Sequence, residues 1–241
     1  GAFSFLGNEP GETPSLFMVL GSNYKKISTQ PIETYIQSLT QDEISKATCW
    51  RYQQGGSPFL VLSVGQADFQ YDHIASLKSG RPIWHERQSG KIDFLNYKQW
   101  NIKHSMSVFG KIITGEKTGS RLGEVAYTTY TEYGDRIRRG FTTQPFGDGK
   151  EVHLTEIELV VEAGVGNSAD ENPIVEFSYS DDQGLTFSAP SSRTLGDTGQ
   201  TQTRLKWRRL GQFDRNRIIK FYSDSPVKMA FLRLEAVVGD D

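Results

Sequence analysis

The sequence predicts an almost entirely β-structured chain, built from short strands that suit either propeller blades or a sandwich. Runs rich in β-branched and aromatic residues recur at short intervals from residue 59 onward, and glycine-containing turns separate most of them. No helical pattern of about ten residues alternates with these runs, which argues against a parallel sheet with crossover helices. From Val152 the alternation between apolar and polar residues sharpens, as half-buried antiparallel strands require.

The chain begins with a predicted hairpin, followed by a short helical insertion at about residues 31–47. Two apolar runs, 3–6 and 16–20, flank a cluster of turn-forming residues at 7–11. Pro31 suits the first turn of a helix, and the apolar residues that follow it have helical spacing. Thr40 and Glu43 fit a capping box that opens a second short helix.

The remaining elements are predicted as strands, grouped into two domains. The runs at 59–64, 68–71, 83–87, 106–114, 125–130 and 136–143 lead to the sharper alternation that starts at Val152. In that later part Ile157 and Leu159 face one way, while Glu156 and Glu158 face the other. Pro145 and the glycines after it place the predicted boundary between a region 1–146 and a sandwich-like domain 147–241.

Composition excludes several classes of protein. The 241 residues carry a net charge of −2, a single cysteine and four histidines. One cysteine cannot form an intramolecular disulfide, and such a set is a poor source of zinc ligands. No apolar run approaches the ~20 residues that a membrane-spanning helix needs. We therefore predict no metal site, no cofactor and no membrane partner.

The common catalytic motifs are missing from the sequence. It contains no G-x-S-x-G, no H-E-x-x-H and no phosphate-binding loop of the G-x-x-x-x-G-K-[ST] type. The lone Cys49 has no clear histidine partner, and the histidines lie far apart. We therefore expect no catalytic residue and predict that the chain is not an enzyme.

One turn motif is specific enough to predict a local structure. Ser180, Asp182, Gly184 and Phe187 fit the pattern Ser-x-Asp-x-Gly-x-Thr-aromatic, which resembles the Asp box of sialidase-type propellers. In such a turn the Asp side chain accepts backbone N–H groups, and the glycine permits a positive φ. The motif predicts a hairpin turn with a structural role.

A basic stretch is the candidate binding surface. Residues 193–220 hold eight basic and two acidic residues, and alternation places Arg204, Lys206 and Arg208 on one strand face. Arg209, Arg215 and Arg217 follow and extend the predicted surface, which suits phosphates or an acidic protein. The alternative is that Glu156, Glu158 and Glu162 pair with these cations inside one sheet.

The order of motifs resembles a known family, the packaged-DNA stabilization proteins, or tail hub proteins, of short-tailed bacteriophages. The resemblance is carried by residues 24–29, 32–33, 40–44, 71–72, 83–87, 109–110, 115–117, 119, 180–184, 205–211, 215–217 and 225–227. Family members have additional sequence ahead of the part that resembles this chain. The resemblance therefore implies a carboxy-terminal portion, in which an incomplete, partial β-propeller-like region is followed by a carboxy-terminal antiparallel β-sandwich.

The resemblance implies a non-enzymatic virion protein of the phage tail, assembled in the bacterial host cytoplasm. It would join a ring of like subunits, a hexamer by resemblance, and close the channel so that packaged DNA is retained. The implied neighbours are the tail adaptor, the tail needle and the tailspike, with indirect contact to the DNA. The alternative function, suggested by the Asp-box pattern and the 12% aromatic content, is a sialidase-like or carbohydrate-binding β protein.

Overall fold

The structure, a computed structural model, describes residues 3–7, 13–90, 98–147 and 149–239. The chain is almost all β, as the sequence predicts. It divides into two compact units, Gly1–Ala126 and Tyr127–Asp241. No helix in the described ranges is both long and apolar enough to cross a bilayer.

The first unit alternates short antiparallel strands with three short helices. Its elements are β1 (Phe3–Gly7), β2 (Ser15–Leu20), β3 (Asn23–Lys26), α1 (Gln30–Gln37), α2 (Gln41–Ser45), β4 (Thr48–Gln54), β5 (Ser57–Val64), β6 (Ala67–Asp72), α3 (His73–Ser79), β7 (Trp84–Arg87), β8 (Ile102–Val108), β9 (Lys111–Glu116) and β10 (Leu122–Glu124). They form three sheets, with the orders β1-β2-β3, β4-β5-β6-β7 and β10-β9-β8.

Two apolar cores lie on opposite faces of the four-stranded sheet. One core joins Leu60 and Leu62 of β5 to Leu16 of β2 and Ile36 of α1. On the other face Val61 of β5 belongs to a second core with β4, β8 and β9. The alternation of side chains along β5 therefore places this sheet between its two neighbours.

The structure contains the predicted hairpin and helical insertion, and adds a helix that the sequence analysis missed. β1 pairs antiparallel with β2, whereas the predicted turn residues 8–11 lie outside the described residues. Thr40 and Glu43 form the predicted capping box of α2. The missed helix, α3, has Asp72 as its N-cap and Gly80, with φ of 72°, as its C-cap. At seven residues it is too short for a clear apolar period.

Two predicted strands of this region are wrong. The run 106–114 is a hairpin, in which Phe109 (φ 53°) and Gly110 (φ 72°) form the turn between β8 and β9. Two successive positive φ values are typical of a type I′ turn, where Asn-Gly is the usual signal. Phe-Gly stands here in place of Asn-Gly, so the sequence did not predict the turn. Residues 125–130 form no strand, and β10 ends at Glu124 instead.

The second unit is a two-layer sandwich, preceded by a small two-stranded ribbon. Its strands are β11 (Thr131–Glu132), β12 (Asp135–Arg136), β13 (Arg139–Thr142), β14 (Val152–Val161), β15 (Ile174–Ser180), β16 (Ser191–Thr194), β17 (Leu205–Arg208), β18 (Gln212–Phe213), β19 (Ile218–Ser223) and β20 (Phe231–Val238). One layer has the order β13-β19-β15-β16. In the other, β14 pairs with β17, β18 and β20.

The sandwich core confirms the predicted alternation along β14. Ile157 and Leu159 are buried in the core, and Glu156 and Glu158 lie on the opposite face. Trp207 is 1% exposed, and its ring stacks on that of Phe177 at a centroid distance of 5.2 Å. Burial of these large side chains between the two layers supplies the main stabilisation of the unit.

The boundary between the units lies earlier than the predicted boundary between residues 146 and 147. β13, predicted as part of a first-domain strand, pairs with β19 of the sandwich. Phe146 and Arg217 also exchange two backbone hydrogen bonds of 2.8 Å each. A strand pattern shows that a strand forms but not which sheet it joins, so sequence alone misplaced this segment.

Candidate assembly surface

Strand β17 presents the predicted row of basic side chains. Leu205 and Trp207 point into the core, whereas Arg204, Lys206 and Arg208 lie on the outer face of the sheet. The side chains of Arg204 and Arg208 are 64% and 70% exposed. The predicted alternation is therefore confirmed by the structure.

Two glutamates of the neighbouring strand bind this row of cations. Arg204 donates from Nε and Nη2 to the two carboxylate oxygens of Glu158, at 2.6 and 2.5 Å. The Lys206 ammonium bridges Glu156 and Glu158, and Arg208 Nε lies 2.6 Å from Glu156 Oε2. We call these five side chains the charge ladder. The structure therefore agrees with the alternative, ion pairs inside one sheet, for Glu156 and Glu158. Glu162 departs from it, because it pairs with Lys228 at 2.8 Å.

The ladder shifts the titration of its members. Hydrogen bonds from Lys206 and Arg208 lower the pKa of Glu156 below 4.5, and those from Arg204 and Lys206 do the same for Glu158. The same contacts raise the pKa values of Arg204 and Lys206. Since the glutamate pKa values are lowered on folding, the stability that they contribute is present above pH 4.5 and is lost as the pH falls through the lowered values.

Two of the predicted surface arginines remain outside the ladder. Arg209 and Arg215 are exposed, and neither forms an ion pair with any residue that the structure describes. Arg209 lies between β17 and β18 with φ of 59°, and its backbone N–H donates to Thr155 at 3.0 Å. Arg209 therefore lies just beyond the regular row of β17, which ends at Arg208. These two cations are the part of the predicted surface that is open to a partner.

Arg217 was predicted on this surface, and that prediction is wrong. Its side chain is 2% exposed, and Nε and Nη2 bind the two carboxylate oxygens of Asp181 at 2.6 and 2.8 Å. Nη1 donates to the backbone carbonyl of Leu210 at 2.6 Å. Arg217 lies just before β19, in an isolated bridge to Phe146, and is not part of β17. Alternation along β17 therefore gave no information about the direction of its side chain.

The Asp-box-like turn has the predicted geometry. Asp182 accepts the backbone N–H of Thr186 at 2.9 and 3.0 Å, and the backbone N–H of Gly184 donates to Ser180 Oγ at 2.8 Å. Gly184 has the expected positive φ, 91°. Hydrogen bonds from Ser180 and Thr186 lower the pKa of Asp182 to about 2. All of these contacts lie within the turn, which gives Asp182 a structural role.

The aromatic residue of this turn holds a cation that sequence analysis did not assign. The Lys220 ammonium lies 3.6 Å from the centroid of the Phe187 ring. Phe187 is therefore half-buried beneath a lysine instead of in the sandwich core. The spacing of the motif gave no signal for this partner, because Lys220 belongs to a different strand.

The first unit contains a cavity of about 390 Å³ that is lined mainly by apolar side chains, including Met18, Leu60 and Tyr71. Cys49 and His73 also line it. Desolvation raises the pKa of the Cys49 thiol to about 11. The thiol is thus protonated at neutral pH and is a poor nucleophile there. The described residues contain no group of three or more His, Cys, Asp or Glu side chains placed to hold a metal ion.

Family comparison assigns both units. Residues 1–130 match the family described as "Bacteriophage P22 Gp10, beta-propeller", and residues 138–239 match "Bacteriophage P22 Gp10, beta-sandwich". The chain belongs to the bacteriophage P22 Gp10 family. It is therefore a structural protein of a phage tail, with the propeller and sandwich domains in the predicted order.

Other comparisons add no functional assignment to the Gp10 match. Two structures of exo-beta-1,3-galactanase from Phanerochaete chrysosporium, one with beta-1,3-galactotriose and one with galactose, are 10% and 11% identical to this chain. The alignments cover 98% and 99% of this chain and 68% of each galactanase, with TM-scores of 0.24 and 0.22. At these scores the likeness supports no conclusion about the Gp10-family chain. No curated protein matches it.

Proposed function

We propose that this protein closes the tail channel of a short-tailed phage and so keeps packaged DNA inside the virion. In this role it joins a ring of like subunits and links the tail adaptor, the tail needle and the tailspike. Assembly takes place in the cytoplasm of the bacterial host. The protein acts through binding surfaces and carries out no reaction.

The observation that carries this proposal is the match of both units, in order, to the two domains of Gp10. The Asp-box-like turn gives no support to the sialidase-like alternative, because its hydrogen bonds are made within the turn and assign Asp182 a structural role.

The charge ladder favours indirect rather than direct contact with DNA. Glu156 and Glu158 neutralise most of the charge that the β17 row would offer to phosphates. Arg209 and Arg215, which flank β18, are the cations left to meet an acidic surface of a neighbouring tail protein. Charged groups at the rim of an interface set register and partner choice more than affinity.

Phage particles in which this protein is replaced by an R209E/R215E variant test the proposal. We expect these particles to package DNA and then lose it, because the reversed charges repel the partner surface. The measurement is the DNA content of purified particles, with electron microscopy of their tails. Particles that lack the protein altogether give the reference for complete loss.

A K78E variant is the matched control, because Lys78 is exposed on α3 of the other unit. It is expected to retain DNA as wild type does. If particles without the protein keep their DNA, the sealing role is wrong. If particles with R209E/R215E keep their DNA while particles without the protein lose it, the two arginines are not the contact and the sealing role stands.

A further inference from the structure

Strand β20 forms an open edge of the sandwich. It is eight residues long, and within the described part of the chain it pairs with β14 alone. Leu232, Val237 and Val238 are 66%, 52% and 48% exposed. An edge strand leaves backbone N–H and C=O groups on its outer side, where another strand can bind them.

The opposite edge of the same layer is protected against pairing. Arg193 Nε donates to the backbone carbonyl of Lys206 on β17 at 2.8 Å, and its guanidinium lies over Trp207. Proteins protect edge strands against strand addition by covering them, and the Arg193 side chain covers part of this edge. No equivalent contact reaches β20 among the described hydrogen bonds. The sandwich therefore leaves β20 as its accessible edge in this layer.

The charges on β20 lack cross-strand partners of opposite sign on β14. Arg233 lies opposite Val160, and Glu235 lies opposite Glu158, which Arg204 already binds. Like charges directly opposite each other in a sheet are unfavourable. Arg233 and Glu235 instead pair with each other along the strand, at 2.6 Å, with side chains 69% and 44% exposed.

We propose that β20 pairs antiparallel with β20 of a second copy of this chain, about a two-fold axis at Leu234. Residues directly opposite each other in such a pair point to the same face of the continuous sheet. In this register Arg233 faces Glu235 of the partner subunit, and Glu235 faces the partner's Arg233. Leu234 faces its own symmetry mate, and Leu232 faces the partner's Ala236.

Charge selects this register over its neighbours. A two-fold axis that keeps the faces matched must pass through a residue position, so the adjacent registers are centred on Arg233 or Glu235. The first places two arginines directly opposite each other, and the second places two glutamates there. The alternation of Arg233, Leu234 and Glu235 is therefore self-complementary in one register only.

This contact goes beyond the proposed tail function and does not rest on it. A two-fold contact uses the same surface on both copies and joins them in pairs. A closed ring requires a second, head-to-tail contact. The β20 pair is therefore a contact between two copies that is separate from the contacts that close a ring.

Sedimentation velocity of the full chain tests the proposal, over concentrations up to about 1 mM. This range covers the weak affinities expected of interfaces below roughly 1,200 Å². We expect wild type to form dimers as concentration rises. R233E and E235R should each be monomeric alone, because like charges then face each other across the two-fold axis.

The decisive sample is an equimolar mixture of R233E and E235R. In a mixed pair every charge again faces its opposite, so heterodimers should form although neither variant associates alone. This result cannot come from a folding defect. The K78E variant reverses an exposed charge on α3 and is the control, which should dimerise as wild type does. A monomeric wild type, a dimeric R233E or E235R, or a mixture that does not associate would each overturn the proposal.

Discussion

The guanidinium group of Arg217 contacts two aromatic rings and is hydrogen-bonded along its edge. The rings of Tyr179 and Phe213 lie 4.1 and 4.6 Å from the guanidinium carbon. Its nitrogens bind Asp181 and two backbone carbonyls, one of them that of Gln212 at 3.2 Å. Arginine suits such a place because its planar fork accepts stacking and bidentate hydrogen bonds together. One side chain therefore ties the Asp-box-like turn to the connection between β17 and β18.

An R217M substitution should lower the free energy of unfolding by about 3 kcal/mol, because it keeps much of the side-chain volume but removes the partner of Asp181 and the donors to two carbonyls. Urea unfolding followed by circular dichroism measures the change. The matched control is R215M two residues earlier, at an exposed position, which should change the free energy by less than about 0.5 kcal/mol. Equal effects of the two substitutions would show that the enclosure of Arg217 contributes little.

The hydrogen-bond partners of Asp182 could be predicted from the sequence, whereas those of Arg217 could not, and the reason is physical. The bonds of Asp182 are made within its own turn, so a local motif predicts them. Arg217 meets an aspartate 36 positions away in the sequence, and no local pattern distinguishes it from an exposed arginine. Asp181 was likewise missed as a functional partner. Side chains that act across strands require the fold before their roles can be assigned.

The charge ladder is a property of two strands taken together. Alternation along β17 predicts which side chains share a face, and the same holds for β14. The register between the two strands decides the result, because it places Glu156 opposite Arg208 and Glu158 opposite Lys206. The sequence left two interpretations open, an exposed basic surface or pairing of these cations with glutamates of the same sheet. It could not decide between them, because the register cannot be deduced from either strand alone.

An E156Q/E158Q variant should therefore bind duplex DNA more tightly, because the three cations of the ladder are then free to bind phosphates. We expect the plot of log K against log salt to steepen by roughly 0.9 for each additional phosphate that the protein neutralises. Fluorescence anisotropy of labelled DNA at several salt concentrations measures the slope.

The matched control for this variant is E151Q/E171Q, which removes the same net charge from exposed positions outside the ladder. It should leave the slope near that of wild type. If the two double variants bind DNA equally tightly, net charge rather than release of the ladder explains the effect.

The molecule as a whole contains separate apolar cores in its two units. The two cores of the first unit use residues from Leu6 to Val125, and the sandwich core uses residues from Phe141 to Leu234. The sequence predicted β structure from the density of its short strands and turns, whereas the order of the two architectures came from the resemblance to the phage tail family. It misplaced the boundary because β13 joins the sandwich through pairing with a strand much later in the chain.

Matched substitutions in the cores should loosen one unit at a time. Val61 and Val175 are each 0% exposed, and each belongs to a core built within its own unit. Truncation to alanine should cost on the order of 2 kcal/mol in either case. Hydrogen exchange of the full chain should then accelerate in residues 1–126 for V61A and in 127–241 for V175A. Acceleration of both units by either variant would contradict separate unfolding.

Trp207 gives the second unit an optical reporter of its own. The other three tryptophans, Trp50, Trp84 and Trp100, belong to the first unit. Trp207 is 1% exposed, and its indole N–H donates to the backbone carbonyl of Ser191 at 3.0 Å. With phenylalanine at the other three positions, the remaining emission reports the polarity around one indole. A shift to longer wavelength then marks the entry of water into the sandwich, independently of events in the first unit.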